Sequence, residues 1–152
     1  WYDIKGMAIA DKQDAEGIHD SAAEIEQLIA RELERGVATE SIVIAGFSQG
    51  GAIALHTGVR HADRLAGIMG LSTYLPLAET LAGEASDANR ATPVLMAHGS
   101  HDPVVPVQLG QTSRDHLLEQ GYNVAWHEYP MQHQVCMPEI ATIGRWLGER
   151  LL

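Results

Sequence analysis

Residues 42–55 read Ile42-Val43-Ile44-Ala45-Gly46-Phe47-Ser48-Gln49-Gly50-Gly51-Ala52-Ile53-Ala54-Leu55. A short apolar run ends at a G-x-S-x-G, and a second apolar stretch follows without strict polar alternation on either side. Runs of this kind suit a strand covered on both faces, leading through a tight turn into a helix. Such a turn thrusts its central side chain out of the backbone, and glycines beside it remove the Cβ atoms that would clash. Ser48 is therefore the candidate nucleophile. The helix starting near Gln49 would point its N–H groups and positive dipole end at the space where an oxyanion forms.

Working outward, three more apolar runs occur at Ala66 to Leu71, Pro93 to Ala97 and Val124 to Tyr129. Helical segments are expected at Gln49 to Arg60, Val107 to Gln120 and Pro138 to Leu151, each following a run after a turn rich in Gly, Pro, Ser or His. Upstream, Ile18, Ala22, Ile25, Ile29 and Leu33 recur at helical spacing, with Asp11 and Asp14 as N-terminal caps and Gly36 as a stop. The stretch 72–92 lacks a matching strand and reads as an excursion with a short helix near Leu75 to Leu81. Repeated strand-then-helix order implies an α/β fold, an open and mostly parallel sheet of about four strands with helices on its faces. No linker or repeat interrupts the chain, so residues 1–152 read as a single domain.

Composition narrows the functions. Ten Lys+Arg against 20 Asp+Glu give a net charge of -10, which repels phosphate backbones, so no nucleic-acid partner is expected. Residues 11–35 alone hold eight acids against three bases and read as a solvated outer face. No apolar run is long enough to span a bilayer. The single cysteine, Cys136, cannot form an internal disulfide, and with no secretory leader visible the expected location is cytoplasmic.

In open α/β sheets ligands bind beyond the carboxyl ends of the strands. After the third run, His98-Gly99-Ser100-His101-Asp102-Pro103 sets Asp102 in a tight loop, and after the fourth, Tyr129-Pro130-Met131-Gln132-His133 sets a histidine before the last helix. A serine hydroxyl is a weak nucleophile until a base takes its proton, and the base needs an orienting carboxylate. The chain order Ser48, Asp102, His133 is the nucleophile, acid, base order of α/β-hydrolases. His98, His101 and Asp102 also admit a metal-ligand reading, but a catalytic zinc site wants three protein ligands and an orienting shell and would leave the serine elbow without purpose. No metal and no cofactor is expected. Cys136, three residues past His133, lacks an elbow of its own and reads as a bystander thiol, while His19, His56 and His116 read as packed or surface side chains.

The combination resembles the carboxylesterases of the lysophospholipase and acyl-protein thioesterase group, small lidless α/β-hydrolases, and within it the bacterial branch. The resemblance runs through Trp1-Tyr2-Asp3-Ile4, Ala45 to Gly51, Leu71-Ser72-Thr73-Tyr74-Leu75-Pro76, His98 to Asp102, Tyr129-Pro130-Met131 and Ile143-Gly144-Arg145-Trp146-Leu147. It implies Ser48 as nucleophile, Asp102 as orienting acid, His133 as general base and the Gln49 backbone N–H as an oxyanion donor, with Phe47, Ser72, Thr73 and Tyr74 bordering the acyl pocket. The implied activity is hydrolysis of small-molecule carboxylic esters with small acyl groups, through an acyl-enzyme. A serine peptidase or a cofactor-free perhydrolase would use similar parts.

Two departures from the family pattern carry expectations. A glycine usually precedes the catalytic histidine, whereas Gln132 stands here; if that position needs positive φ, Gln132 strains the loop or shifts the imidazole. Members also carry further strands and an H-G-x-G loop ahead of Trp1-Tyr2-Asp3, which would supply a second oxyanion donor. Without them strand 42–46 becomes an exposed edge, so a homo-oligomer or a complementing N-terminal segment is expected to cover it. The alternative reading is a catalytically silent fragment serving as an interaction or assembly module.

Overall fold

The structure is a computed structural model that describes residues 14–152; the Trp1 to Ile4 stretch and the Asp11 cap lie outside the described residues. The four apolar runs form strands β1 (Val43–Phe47), β2 (Gly67–Leu71), β3 (Val94–Gly99) and β4 (Val124–Tyr129). They pair in parallel in the order β1-β2-β3-β4, with Gly46 opposite Gly70, Leu71 opposite Ala97 and Gly99 opposite Tyr129. Parallel neighbours need crossovers, and helices supply them. The helices are α1 (Ala15–Glu34), α2 (Gln49–Gly58), α3 (Leu81–Glu84), α4 (Val107–Glu119) and α5 (Met137–Leu151).

Alternation along each strand sorts the core into two layers. Ile68 of β2 and Val94 and Met96 of β3 pack with Leu55 of α2, Leu117 of α4 and Tyr122 on one face. Met69, Leu71, Leu95 and Ala97 point the other way, onto Trp146 of α5. Helix α2 is buried from Gly51 to Gly58 because α1 lies outside it and the sheet beneath, which is why most of it is apolar, with His56 and Thr57 as buried exceptions. Helix α1 buries Ile18 and Ile29 and ends before Gly36, whose φ of 88° lies in the left-handed region that stops a helix.

The excursion departs from expectation. Residues 75–77 are not helical: Leu75 is buried in the core, Pro76 follows, and Leu77 has a φ of 50°. Helical turns begin only at Ala78–Thr80 and continue as α3. The apolar residues there pack into the core, while Arg60 ties the segment down by donating to the Leu77 carbonyl, to Thr80 and to Glu84. Strand β1 lies at one end of the sheet; among the described residues nothing pairs with its outer edge, and Ala45 and Phe47 are exposed there.

Candidate active site

Ser48 sits between β1 and α2 with φ 54° and ψ -123°, a conformation that costs on the order of 1–3 kcal/mol and needs its surroundings to impose it. They do so from three sides. The Ser48 N–H donates to the Leu71 carbonyl at 2.8 Å, while the Ser48 carbonyl accepts from the Ala52 N–H at 3.1 Å and from the Thr73 hydroxyl at 2.7 Å. Gly46 is obligatory: a Cβ there would stand 2.2 Å from the backbone carbon and oxygen of Gly50. Gln49 is the first residue of α2, so its backbone belongs to the helix end that faces the Ser48 side chain.

Asp102 and His133 come from loops beyond β3 and β4, brought side by side by the pairing of those strands. The His101 N–H donates to the Met131 carbonyl at 3.1 Å and the Ser100 N–H to the Tyr129 carbonyl at 2.9 Å, tying one loop to the other. Asp102 Oδ2 lies 2.7 Å from His133 Nδ1, and His133 Nε2 lies 2.9 Å from Ser48 Oγ. An ionised carboxylate only accepts, so Nδ1 carries the ring proton and Nε2 presents a lone pair to the serine hydroxyl. Burial pushes the Asp102 carboxyl up, but the hydrogen bonds from His133 and from the Val105 and Val104 N–H groups outweigh it and hold the group below the usual carboxylate value. The side chain of Asp102 is fully buried, whereas that of His133 keeps 16% exposure.

The other expected residues fall into two groups. Phe47 is exposed and its ring lies 4.8 Å from the His133 imidazole, so it flanks the mouth of the site. Ser72, Thr73 and Tyr74 are buried, and the Thr73 hydroxyl is occupied by the Ser48 carbonyl, which makes Thr73 a brace of the elbow. A cavity of about 640 Å³ opens beside the elbow between α1 and the outer edge of β1, lined by Glu24, Ile25, Ala45, Phe47, Gly50 and Ile53 among others. Gln132 does not adopt positive φ; among the described non-glycine residues only Ser48, Ser72 and Leu77 do, so the anticipated strain is absent. Sequence reasoning overlooked the brace from Thr73 and the packing of Phe47 on His133. Neither has a local signal, since each depends on strands pairing.

With crossovers returning through helices and Ser48, Asp102 and His133 gathered at the strand tips, the chain has the α/β-hydrolase architecture. More narrowly, it belongs to the phospholipase/carboxylesterase family, whose model matches residues 1–149. It is 43% identical over 159 residues to acyl-protein thioesterase 1 of Neurospora crassa, covering 99% of this chain and 65% of that protein. The same enzyme of Gibberella zeae is 40% identical, with 99% and 68% covered. The crystal structure of Zea mays acyl-protein thioesterase 2 superposes with a TM-score of 0.88 at 30% identity, over 100% of this chain and 72% of that one. The chain thus spans about two thirds of the curated relatives it matches, and those relatives, fungal and plant, extend the resemblance beyond the bacterial branch. They are esterase-type hydrolases. Among the described residues no helix is long and apolar enough to cross a membrane.

Proposed function

We propose that residues 1–152 form a single-domain serine hydrolase that cleaves carboxylic esters or thioesters of acyl groups. The reading rests on one observation, the unbroken hydrogen-bonded chain from Ser48 Oγ through His133 to Asp102. Ser48 Oγ attacks the substrate carbonyl as His133 Nε2 takes its proton, giving a tetrahedral oxyanion that the Gln49 N–H stabilises. The imidazolium then protonates the departing alcohol or thiol, leaving an acyl-enzyme. Water, deprotonated by His133, releases the acid and restores Ser48. Asp102 keeps the proton on Nδ1 and balances the transient positive charge. Phe47, beside the imidazole, borders the acyl group, while Ser72, Thr73 and Tyr74 stand behind the elbow. The similarity to acyl-protein thioesterases favours thioester-linked acyl groups as substrates.

The outer edge of β1 and the cavity beside it are where a further strand, from a preceding segment or a second copy, would pair and bring a second oxyanion donor. The lone Cys136 accords with a reducing, cytoplasmic setting. Treatment with a fluorophosphonate followed by mass spectrometry tests the reading: one adduct, on Ser48, is expected. An intact protein with no adduct would overturn it and leave the silent assembly module.

A further inference from the structure

A second imidazole lies against the reacting groups, and the steps above give it no task. His98, near the end of β3, is 1% exposed, and its Nε2 lies 2.8 Å from the Val105 carbonyl oxygen and 3.6 Å from Asp102 Oδ2. A carbonyl oxygen only accepts, so Nε2 carries the proton and donates to Val105. The longer separation is too great for a hydrogen bond, yet it sets the positive edge of the ring beside the carboxylate oxygen that holds His133. Val105 is gripped at both ends: its C=O by His98, and its own N–H by Asp102 Oδ1 at 2.9 Å, next to the Val104 N–H at 2.8 Å. The turn that aims the Asp102 carboxylate is therefore closed onto β3 by the His98 ring.

The ring has little freedom to turn. Its Nδ1 is buried without a partner, facing Gly110 of α4, where a Cβ would come within 2.6 Å of that nitrogen. Trp126 of β4 flanks it with ring centroids 6.1 Å apart, and Arg114 of α4 covers the outer side of Trp126. Glu128, opposite His98 on β4, hydrogen-bonds Trp126 and Gln111 instead. A buried imidazole with one orphaned nitrogen costs free energy that an apolar side chain of similar volume would avoid. Its one hydrogen bond is the one to Val105.

We propose that His98 is a positioning residue: acting through Val105, it fixes the orientation of the Asp102 carboxylate and hence the aim of His133 at Ser48. The proposal rests on the functional reading of those three residues. Displacing a reacting group by about 1 Å can lower a rate on the order of 10²-fold, so the effect belongs in kcat and leaves substrate binding alone.

The experiment compares His98→Phe, which keeps a ring and loses the donor, with His98→Gln, whose amide can still donate to the Val105 carbonyl. Turnover of p-nitrophenyl acetate, the melting temperature and the far-downfield proton of the His133–Asp102 hydrogen bond are followed together. In folded His98→Phe, kcat falls by roughly 10- to 100-fold at unchanged KM and the downfield proton weakens or disappears, whereas His98→Gln restores most of both. If His98→Phe does not fold, His98→Leu, equally unable to donate, takes its place. Full kcat with an unaltered downfield proton in the folded donor-less variant overturns the proposal, and so does equal loss in the donor-less and Gln variants. Failure of the underlying reading looks different: the unmodified protein would then give no fluorophosphonate adduct, while the downfield proton would still report whether His98 orients Asp102.

Discussion

At Asp102 burial and hydrogen bonding pull in opposite directions, and hydrogen bonding wins. Because its folded pKa lies below the unfolded value of about 3.9, the group contributes stability above that pH and loses it as the pH falls through the folded value. Asp102→Asn separates its two duties. The amide oxygen can still accept from the Val104 and Val105 N–H groups, but the amide nitrogen would face His133 Nδ1 and drive the ring proton onto Nε2. Turnover should fall by roughly 10⁴-fold while the melting temperature changes little, as steady-state kinetics and a thermal scan will show. Gln132 carries the opposite expectation. Since its backbone is not in the left-handed region, Gln132→Gly relieves nothing and should cost about 0.4–1 kcal/mol through a freer unfolded chain, measured by urea denaturation. The departure from the family pattern was visible in the sequence; that it causes no strain depended on the path of the loop.

The elbow between β1 and α2 shows what an element can and cannot announce. Gly46, Ser48 and Gly50 are neighbours in sequence, so the turn was legible there. Its brace was not, because Thr73 reaches Ser48 only after β2 has paired with β1. Thr73→Val keeps the shape and leaves the Ser48 carbonyl one donor short, so stability should drop by about 1 kcal/mol and kcat should fall at steady KM, with Thr73→Ser recovering both. Gly46→Ala is harsher, since the new Cβ would meet backbone that cannot yield. A loss of about 3 kcal/mol or outright failure to fold is expected, and soluble yield with circular dichroism decides between them. The excursion illustrates the converse. Apolar residues at Leu75, Leu77 and Leu81 mimic a helical pattern, but their burial against different neighbours is a tertiary demand, and the helix starts later.

Across the whole molecule, layering gives rise to a pH response that no single element contains. His56 on α2 is buried beneath α1 and the excursion; burial first, then the Arg60 guanidinium, hold its pKa down to about 4, although it hydrogen-bonds the Pro76 carbonyl. The unfolded chain takes up that proton near pH 6.5 and the folded one only near pH 4. Between these values the unfolded state binds more protons, so stability falls as the medium is acidified, by about 3–4 kcal/mol from this group at the limit. Denaturation at pH 7 and pH 4.5 should show the drop, and His56→Gln should flatten it; an equal drop in both proteins would assign the response elsewhere. The sequence by itself determined the alternation of strands and helices, the parallel α/β class, the serine elbow and the order of candidate groups, because apolar period, glycine placement and turn residues act within a few positions of one another. Chain order nominated Asp102 and His133 among the carboxylates and eight histidines, but whether they meet was decided by the tertiary structure. Ser48, Asp102 and His133 touch because β1 to β4 stack in chain order and bring their tips together. The same stacking sets His98 behind Asp102, and contacts across such separations leave no local pattern to read.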